Sequence, residues 1–250
     1  AGNLSDIVTG DGITIDLTAP AGTTVNDGTG EEDMAYSGLD STLSASWPAF
    51  TEATSGISAY EVSIGTAEGA TNILDWADNG TDTTFTKPRL SLSNGTTYYI
   101  NVRATDVAGN VSTTVTSDGV IVDTAAPVAG SIIDGTETDI DWDNDTTSLS
   151  AVWTGFSDTL SGIQNYEYAI GTTAGGTEIV DWTDNSTDTS VTKTDLTLSN
   201  GSTYYVSSRA TDNVSNVSEP AVSDGITIDT FAPLISEVLE GPLTEDIDFQ

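Results

Sequence analysis

The stretch from Leu43 to Asp123 is written a second time, in the same order, from Leu149 to Asp229. Its anchors keep one spacing: Trp47 and Trp153, Tyr60 and Tyr166, Trp76 and Trp182, Tyr98 and Tyr204, and Arg103 and Arg209 are each 106 residues apart. Self-similarity at a fixed period is the signature of a tandem array, and here one unit is long enough to be a domain. The pattern also overruns both ends, since Ala1–Asp16 matches Ala108–Asp123 and Thr230–Gln250 restarts Thr124–Trp142. The expected organisation is the last strand or strands of a preceding repeat in 1–16, one repeat in 17–123, a second in 124–229, and the first strand of a following repeat in 230–250. The chain then reads as a window on something longer. A domain of about a hundred residues buries roughly two thirds of its unfolded surface, enough for each copy to close its own core.

The sequence has no Cys and no His. Disulfides, thiolate zinc sites and the usual imidazole general base are therefore excluded, and most enzyme classes with them. Acidic residues outnumber basic ones 39 to 5, for a formal net charge of −34. Binding to phosphate backbones or anionic headgroups requires Lys or Arg to displace counterions, so neither nucleic acid nor a membrane surface is an expected partner. No apolar run approaches the ~18 residues needed to span a bilayer, so direct membrane insertion is not expected either. Apolar residues still make up 36% of the chain. They recur with period 2, which assigns the acid to loops and surfaces around packed strands.

Thr, Val, Ile, Tyr and Ser dominate, turn signals such as Asn94-Gly95 and Asp118-Gly119 recur at short intervals, and no segment has a helical period. The fold class is all-β. Leu43, Ala45 and Trp47 alternate on one strand and Tyr60, Val62 and Ile64 on the next, as the inward faces of a sandwich would. Leu92-Ser93-Asn94-Gly95-Thr96 then precedes Tyr98, Ile100, Val102 and Ala104, and the second copy gives Leu198, Tyr204, Val206, Ser208 and Ala210.

That stretch resembles the tyrosine corner and sixth strand of fibronectin type III domains, with Trp47 and Trp153 in the place of the family's strand-B Trp. The resemblance covers nearly all of each repeat, so the fold it implies is a run of tandem fibronectin type III-like (Ig-like) β-sandwiches. Two departures stand out. Ser93-Asn94-Gly95 replaces the family's Pro-Gly turn, and acidic stretches at 27–41 and 134–147 lengthen the first connection. Segments such as Ala104-Thr105-Asp106 followed by Gly109-Asn110-Val111-Ser112 look like those of very long secreted bacterial adhesins and surface filaments. This resemblance implies extracellular scaffolding and no chemistry.

Candidate ligands for a cation are carboxylates near the ends of the repeats. Asp106 and Asp212 open the turn between the last two strands, where Gly109 and Asn110 also suit an ordinary hairpin. Asp118 and Asp123 lead into Thr124-Ala125-Ala126-Pro127, and Asp224 and Asp229 into Thr230-Phe231-Ala232-Pro233. Pro stiffens such linkers, and Ca²⁺, which takes 6 to 8 oxygen ligands, suits acidic loops that meet at an interdomain junction; solvated acidic loops are the alternative. The run Asp139, Asp141, Asp143, Asp145 resembles the opening of an EF-hand, but Asn144 and Ser150 stand where Gly and Glu are required. Repeat 1 has Asp33, Ala35, Ser37 and Leu39 there, so a metal role common to both repeats is not expected from this run. The expectation is that Tyr36, Trp142 and Phe249 plug one end of the core while the acids face water. Trp76 and Trp182 are expected to pack on edge strands, with sugar-stacking platforms as the sharper alternative. Arg103 and Arg209 should pair with an acid on a neighbouring strand, or else contact another copy.

The function read from these features is a non-enzymatic spacer or shaft of a large extracellular bacterial surface protein, an adhesin or filament, that projects a distal tip. Its partners would be neighbouring repeats and a possible homo-oligomeric bundle. A glycan- or protein-binding module, and an accessory array of a secreted polysaccharide-degrading enzyme, are the alternatives.

Overall fold

Alternating apolar residues pair into strands wherever the sequence repeats. The computed structural model describes residues 2, 4, 6, 8–30 and 32–234. The first repeat contains β1 (Asn26–Asp27), β2 (Tyr36–Ser37), β3 (Thr42–Ser46), β4 (Ile57–Gly65), β5 (Leu74–Asp78), β6 (Thr84–Pro88), β7 (Thr97–Asp106), β8 (Val115–Thr116) and β9 (Val120–Val122). The second follows with β10 (Ser131–Asp134), β11 (Trp142–Asp143), β12 (Leu149–Thr154), β13 (Ile163–Gly171), β14 (Val180–Asp184), β15 (Ser190–Lys193), β16 (Thr203–Asp212), β17 (Ala221–Val222) and β18 (Ile226–Ile228). Among the described residues no helix is long and apolar enough to cross a membrane. The chain divides into two compact bodies between Ala126 and Pro127, with residues 159–162 and 213–216 grouping with the first.

Each repeat pairs its strands in the same way. In the first, β1-β3-β6 form one sheet and β2-β9-β7-β4-β5 the other, with β8 added to β7; in the second, β10-β12-β15 face β11-β18-β16-β13-β14, with β17 added to β16. Most pairings are antiparallel, but β2 runs parallel to β9 and β11 parallel to β18. Between the two sheets of repeat 1 lie Leu43, Ala45, Trp47, Tyr60, Val62, Ile64, Tyr98, Ile100, Val102 and Ala104, all buried and at the alternate positions that the sequence marks. Leu149, Ala151, Trp153, Tyr204, Val206 and Ala210 hold the same places in repeat 2. Trp47 and Trp153 meet Tyr60 and Tyr166 edge to face, at ring separations of 5.6 and 6.0 Å. The corner tyrosines are tied as well, because the Tyr98 and Tyr204 hydroxyls accept the Ser93 and Ser199 N–H groups at 2.9 Å.

Arg103 and Arg209 find their acids directly opposite. The β4–β7 register sets Glu61 against Arg103, and the Arg103 Nε lies 2.8 Å from a Glu61 oxygen; Arg209 and Glu167 repeat the pair at 2.7 Å. Each guanidinium also stacks on an edge-strand indole, Trp76 of β5 or Trp182 of β14, 4.2 Å from the ring centroid. One face of each indole is thereby covered by protein, so the edge-packing reading describes these residues and the sugar-platform alternative loses that face. Half-exposed pairs of this kind contribute on the order of 0.5–1 kcal/mol each.

One expectation needs correction. Trp142 does not plug the core: it is 65% exposed on the two-residue edge strand β11, and the half-buried Ile140, just before that strand, packs against the core instead. Phe249 lies outside the described residues. The described residues of 1–16 form no strand, and Leu4, Val8 and Ile13 are exposed. A strand needs a hydrogen-bonded neighbour, and these residues have none among the described strands.

Candidate cation-binding sites

The first acid of each lengthened connection is not on the surface. Val25 and Asp27 alternate along the start of repeat 1, as Ile132 and Asp134 do in repeat 2, so period 2 turns both carboxylates toward the core. Asp27 and Asp134 are fully buried. One oxygen of each accepts a backbone N–H from the turn before the last strand, Gly119 or Gly225, at 3.1 Å. The other oxygen, Oδ1 in both residues, is buried without a hydrogen-bond partner.

Two exposed acids complete each group. Asp33 accepts the Asp27 N–H at 2.6 Å and Asp139 accepts the Asp134 N–H at 3.1 Å. Asp118 and Asp224 arrive from the turn that supplies the glycine N–H. Ligand oxygens of Asp27, Asp33 and Asp118 lie within 4.8 Å of one another, and so do those of Asp134, Asp139 and Asp224. Asp118 and Asp224, expected at the junction beside Asp123 and Asp229, therefore join acids of their own repeat instead. Asp139, expected to face water as part of its acidic run, is drawn into the group as the partner of a buried backbone N–H. Asp33 and Asp139, at equivalent places in the two repeats, make the same contact with the buried acid.

The electrostatics follow from this packing. Burial pushes the Asp27 carboxyl up to about 7; hydrogen bonds from Ser117 and Gly119 oppose the shift, while repulsion from Asp33 and Asp118 adds to it. Asp134 is pushed up to about 6 by burial, against Ser223 and Gly225, with Asp139 and Asp224 repelling it. Burial and then the neighbouring Asp33 raise Asp118 as well. Since the native values of Asp27 and Asp134 exceed the ordinary 3.8, the folded protein holds these protons more tightly than the unfolded chain. Below pH ~4 both states are protonated and this effect costs nothing; as pH rises from ~4 to ~7 the unfolded chain ionises first and stability is lost. In buffer free of divalent cations, calorimetry at pH 5 and pH 8 should show a lower melting temperature at pH 8. Asp27→Asn with Asp134→Asn should flatten that difference.

A second group forms at the other end of repeat 1, from Asp16, Glu52 and Asp106. Here one Asp16 oxygen, Oδ2, is buried without a partner, but the oxygens of Asp106 and Glu52 are used by the protein. Asp106, which ends β7 and is 2% exposed, takes the Asn110 N–H on one oxygen and the Asn110 amide on the other, both at 2.8 Å. Burial works against its charge, yet hydrogen bonds from Asn110, Gly109 and Ala108 outweigh it and hold the carboxyl below its usual range. Gly109 adopts φ +94°, so the hairpin reading of this turn describes it well. Glu52 accepts N–H groups of Thr54 and Ser55 in its own loop.

The remaining candidates close turns. Asp212, buried, ends β16 as Asp106 ends β7. Asp123 is buried, donates its N–H to Ser37 and accepts that of Ala125; the exposed Asp229 does the same with Asp143 and Phe231. Asp27 and Asp134 escaped the sequence reading because they open an acidic insertion and look solvated. The available signal was a period-2 step from Val25 or Ile132 to an Asp-Gly pair that recurs in an otherwise diverged segment.

A three-stranded sheet faces a sheet built on two long central strands, and the tyrosine corner closes the connection between them. The fold is fibronectin type III-like. No protein-family model matches the chain. Exoglucanase B of Cellulomonas fimi is 33% identical over 227 residues, a match covering 86% of this chain and 18% of that protein, so the chain spans about a fifth of the curated relative. Among solved structures, fibronectin(III)-like modules of Clostridium thermocellum CbhA share 12% identity at a TM-score of 0.41, covering 82% of this chain and 94% of that one. The FN1–FN3 domains of chicken CNTN1 share 14% at 0.42, covering 84% and 69%. A run of titin domains shares 17% at 0.48, covering 84% and 67%.

Proposed function

We propose that the chain is a run of non-catalytic spacer repeats from a large extracellular protein, and that this parent is a secreted polysaccharide-degrading enzyme. The observation that carries the reading is the 33% identity to exoglucanase B along 86% of the chain. One feature of the repeats supports it. The same polar framework is written into both copies, as a part selected for stacking would be, whereas an active site normally interrupts its scaffold. In this role the repeats act by length: each added sandwich moves the flanking parts further apart, and the high negative charge keeps the array soluble.

The alternative parent is the adhesin or filament that the sequence style of the repeats suggests, in which the same spacer would carry a tip. Mass spectrometry of the intact secreted protein separates the two. The expected result is peptides of this chain in one polypeptide with a glycoside hydrolase domain, while the isolated chain releases no sugar from cellulose. A parent made of many such repeats ending in an adhesive domain would favour the filament, and sugar release by the isolated repeats would overturn the non-catalytic reading.

A further inference from the structure

We propose that each repeat binds one divalent cation of the calcium class between its opening strand and the turn before its last strand, using Asp27, Asp33 and Asp118 in the first and Asp134, Asp139 and Asp224 in the second.

The geometry meets the first requirement of a shared ion. Two oxygens on opposite sides of a cation at ~2.4 Å lie about 4.8 Å apart, and no ligand separation in either group exceeds that distance. The second requirement is a reason for the site to exist. Asp27 and Asp134 are wholly buried, and each has an oxygen that no protein donor reaches. A buried carboxylate with an unpaired oxygen is costly, and two further carboxylates beside it increase the cost; a doubly charged ion removes both.

The arrangement is also built twice on different chain paths. Asp33 comes six positions after Asp27 and Asp139 five after Asp134, yet both second acids end on the backbone N–H of the buried one. A cleft of about 280 Å³, whose lining includes Thr24, Val25, Asn26, Asp33, Thr116 and Asp118, lies beside the first group and reaches two of its three acids. It leaves room for the waters and carbonyls that would complete a coordination shell. An all-oxygen donor set without nitrogen or sulfur suits a hard cation such as Ca²⁺ better than the later transition metals.

Such an ion would join the two sheets, since β1 belongs to one sheet and the Asp118-Gly119 turn leads into the other. The rival arrangement is a proton shared between the buried acid and its neighbour. Titration calorimetry and thermal melting of the full 250-residue chain, stripped with chelator and compared with Asp33→Ser/Asp139→Ser, distinguish them. Both replaced residues are exposed, so folding should survive, and melting in chelator checks that it does. The wild-type chain should melt roughly 5 °C or more higher in millimolar Ca²⁺ than in chelator. The double variant should bind two fewer Ca²⁺ per chain, lose most of that gain, and melt no lower than wild type in chelator. Equal stoichiometry and equal gain in the variant would overturn the assignment. So would a wild-type melting temperature that responds to pH but not to Ca²⁺, the mark of a shared proton.

Discussion

Trp153→Ala is expected to destabilise the second repeat by about 3–5 kcal/mol and to split thermal unfolding of the chain into two separated transitions. Trp153 is completely buried on β12, in line with Leu149 and Ala151, and meets the Tyr166 ring edge to face while Phe156 meets the same ring at 5.6 Å. Removing the indole leaves a hole beside the Tyr166 ring, which β13 holds in place through its ladders with β14 and β16. A domain of this size has on the order of 5–15 kcal/mol of stability, so the loss is a large share of the total. The first repeat draws its core from its own residues, Trp47 and Tyr60 among them. Its transition should stay within about 1 °C of wild type. A single transition displaced as a whole would mean instead that the two cores melt as one cooperative unit.

What the sequence made legible was whatever obeyed period 2 over a full strand. β3, β4 and β7 are long enough for alternation to be unmistakable, and Leu43, Ala45, Trp47, Ile100 and Val102 lie where alternation puts them. The tyrosine corner was legible for a different reason, a local turn with a fixed relation to one side chain. The two-residue strands β1, β2, β8 and β11 carry no periodic signal of their own, so alternation places neither Trp142 nor Asp27. They exist because a neighbouring strand offers an unpaired edge, and that is tertiary information. For the candidate ligands, sequence identified acids near the ends of the repeats but not their grouping. Asp118 and Asp224 stand nine positions before the linker prolines Pro127 and Pro233, in the same segments as Asp123 and Asp229; in space the turn carries them toward β1 and β10.

Asn101 shows most sharply what alternation hides, and it sets the second large effect: Asn101→Ala should destabilise the first repeat by about 2–4 kcal/mol. Counting from Ile100 and Val102, the residue between them should face solvent, yet it is fully buried, because the loop after β4 folds over this face of the sheet. Its amide donates to the Ala70 carbonyl at 2.9 Å and to the Ser63 hydroxyl at 3.2 Å, and its oxygen accepts the Gly69 N–H and the Thr116 hydroxyl, both at 2.9 Å. Two donors and two lone pairs are thus all used, and truncation strands several buried partners at once. The second repeat provides the control. There Ser207 stands in the same place with an unpartnered hydroxyl, and Glu178 holds the matching loop from within by accepting the Thr172 N–H at 3.1 Å and the Thr173 hydroxyl at 3.2 Å. Ser207→Ala should therefore cost less than about 1 kcal/mol. Hydrogen exchange at Gly69 should quicken in Asn101→Ala while amides of the β4–β7 ladder keep their relative order. If the two substitutions cost the same in chemical denaturation, the loop is held by its backbone turn alone and the side-chain network contributes nothing to the first repeat.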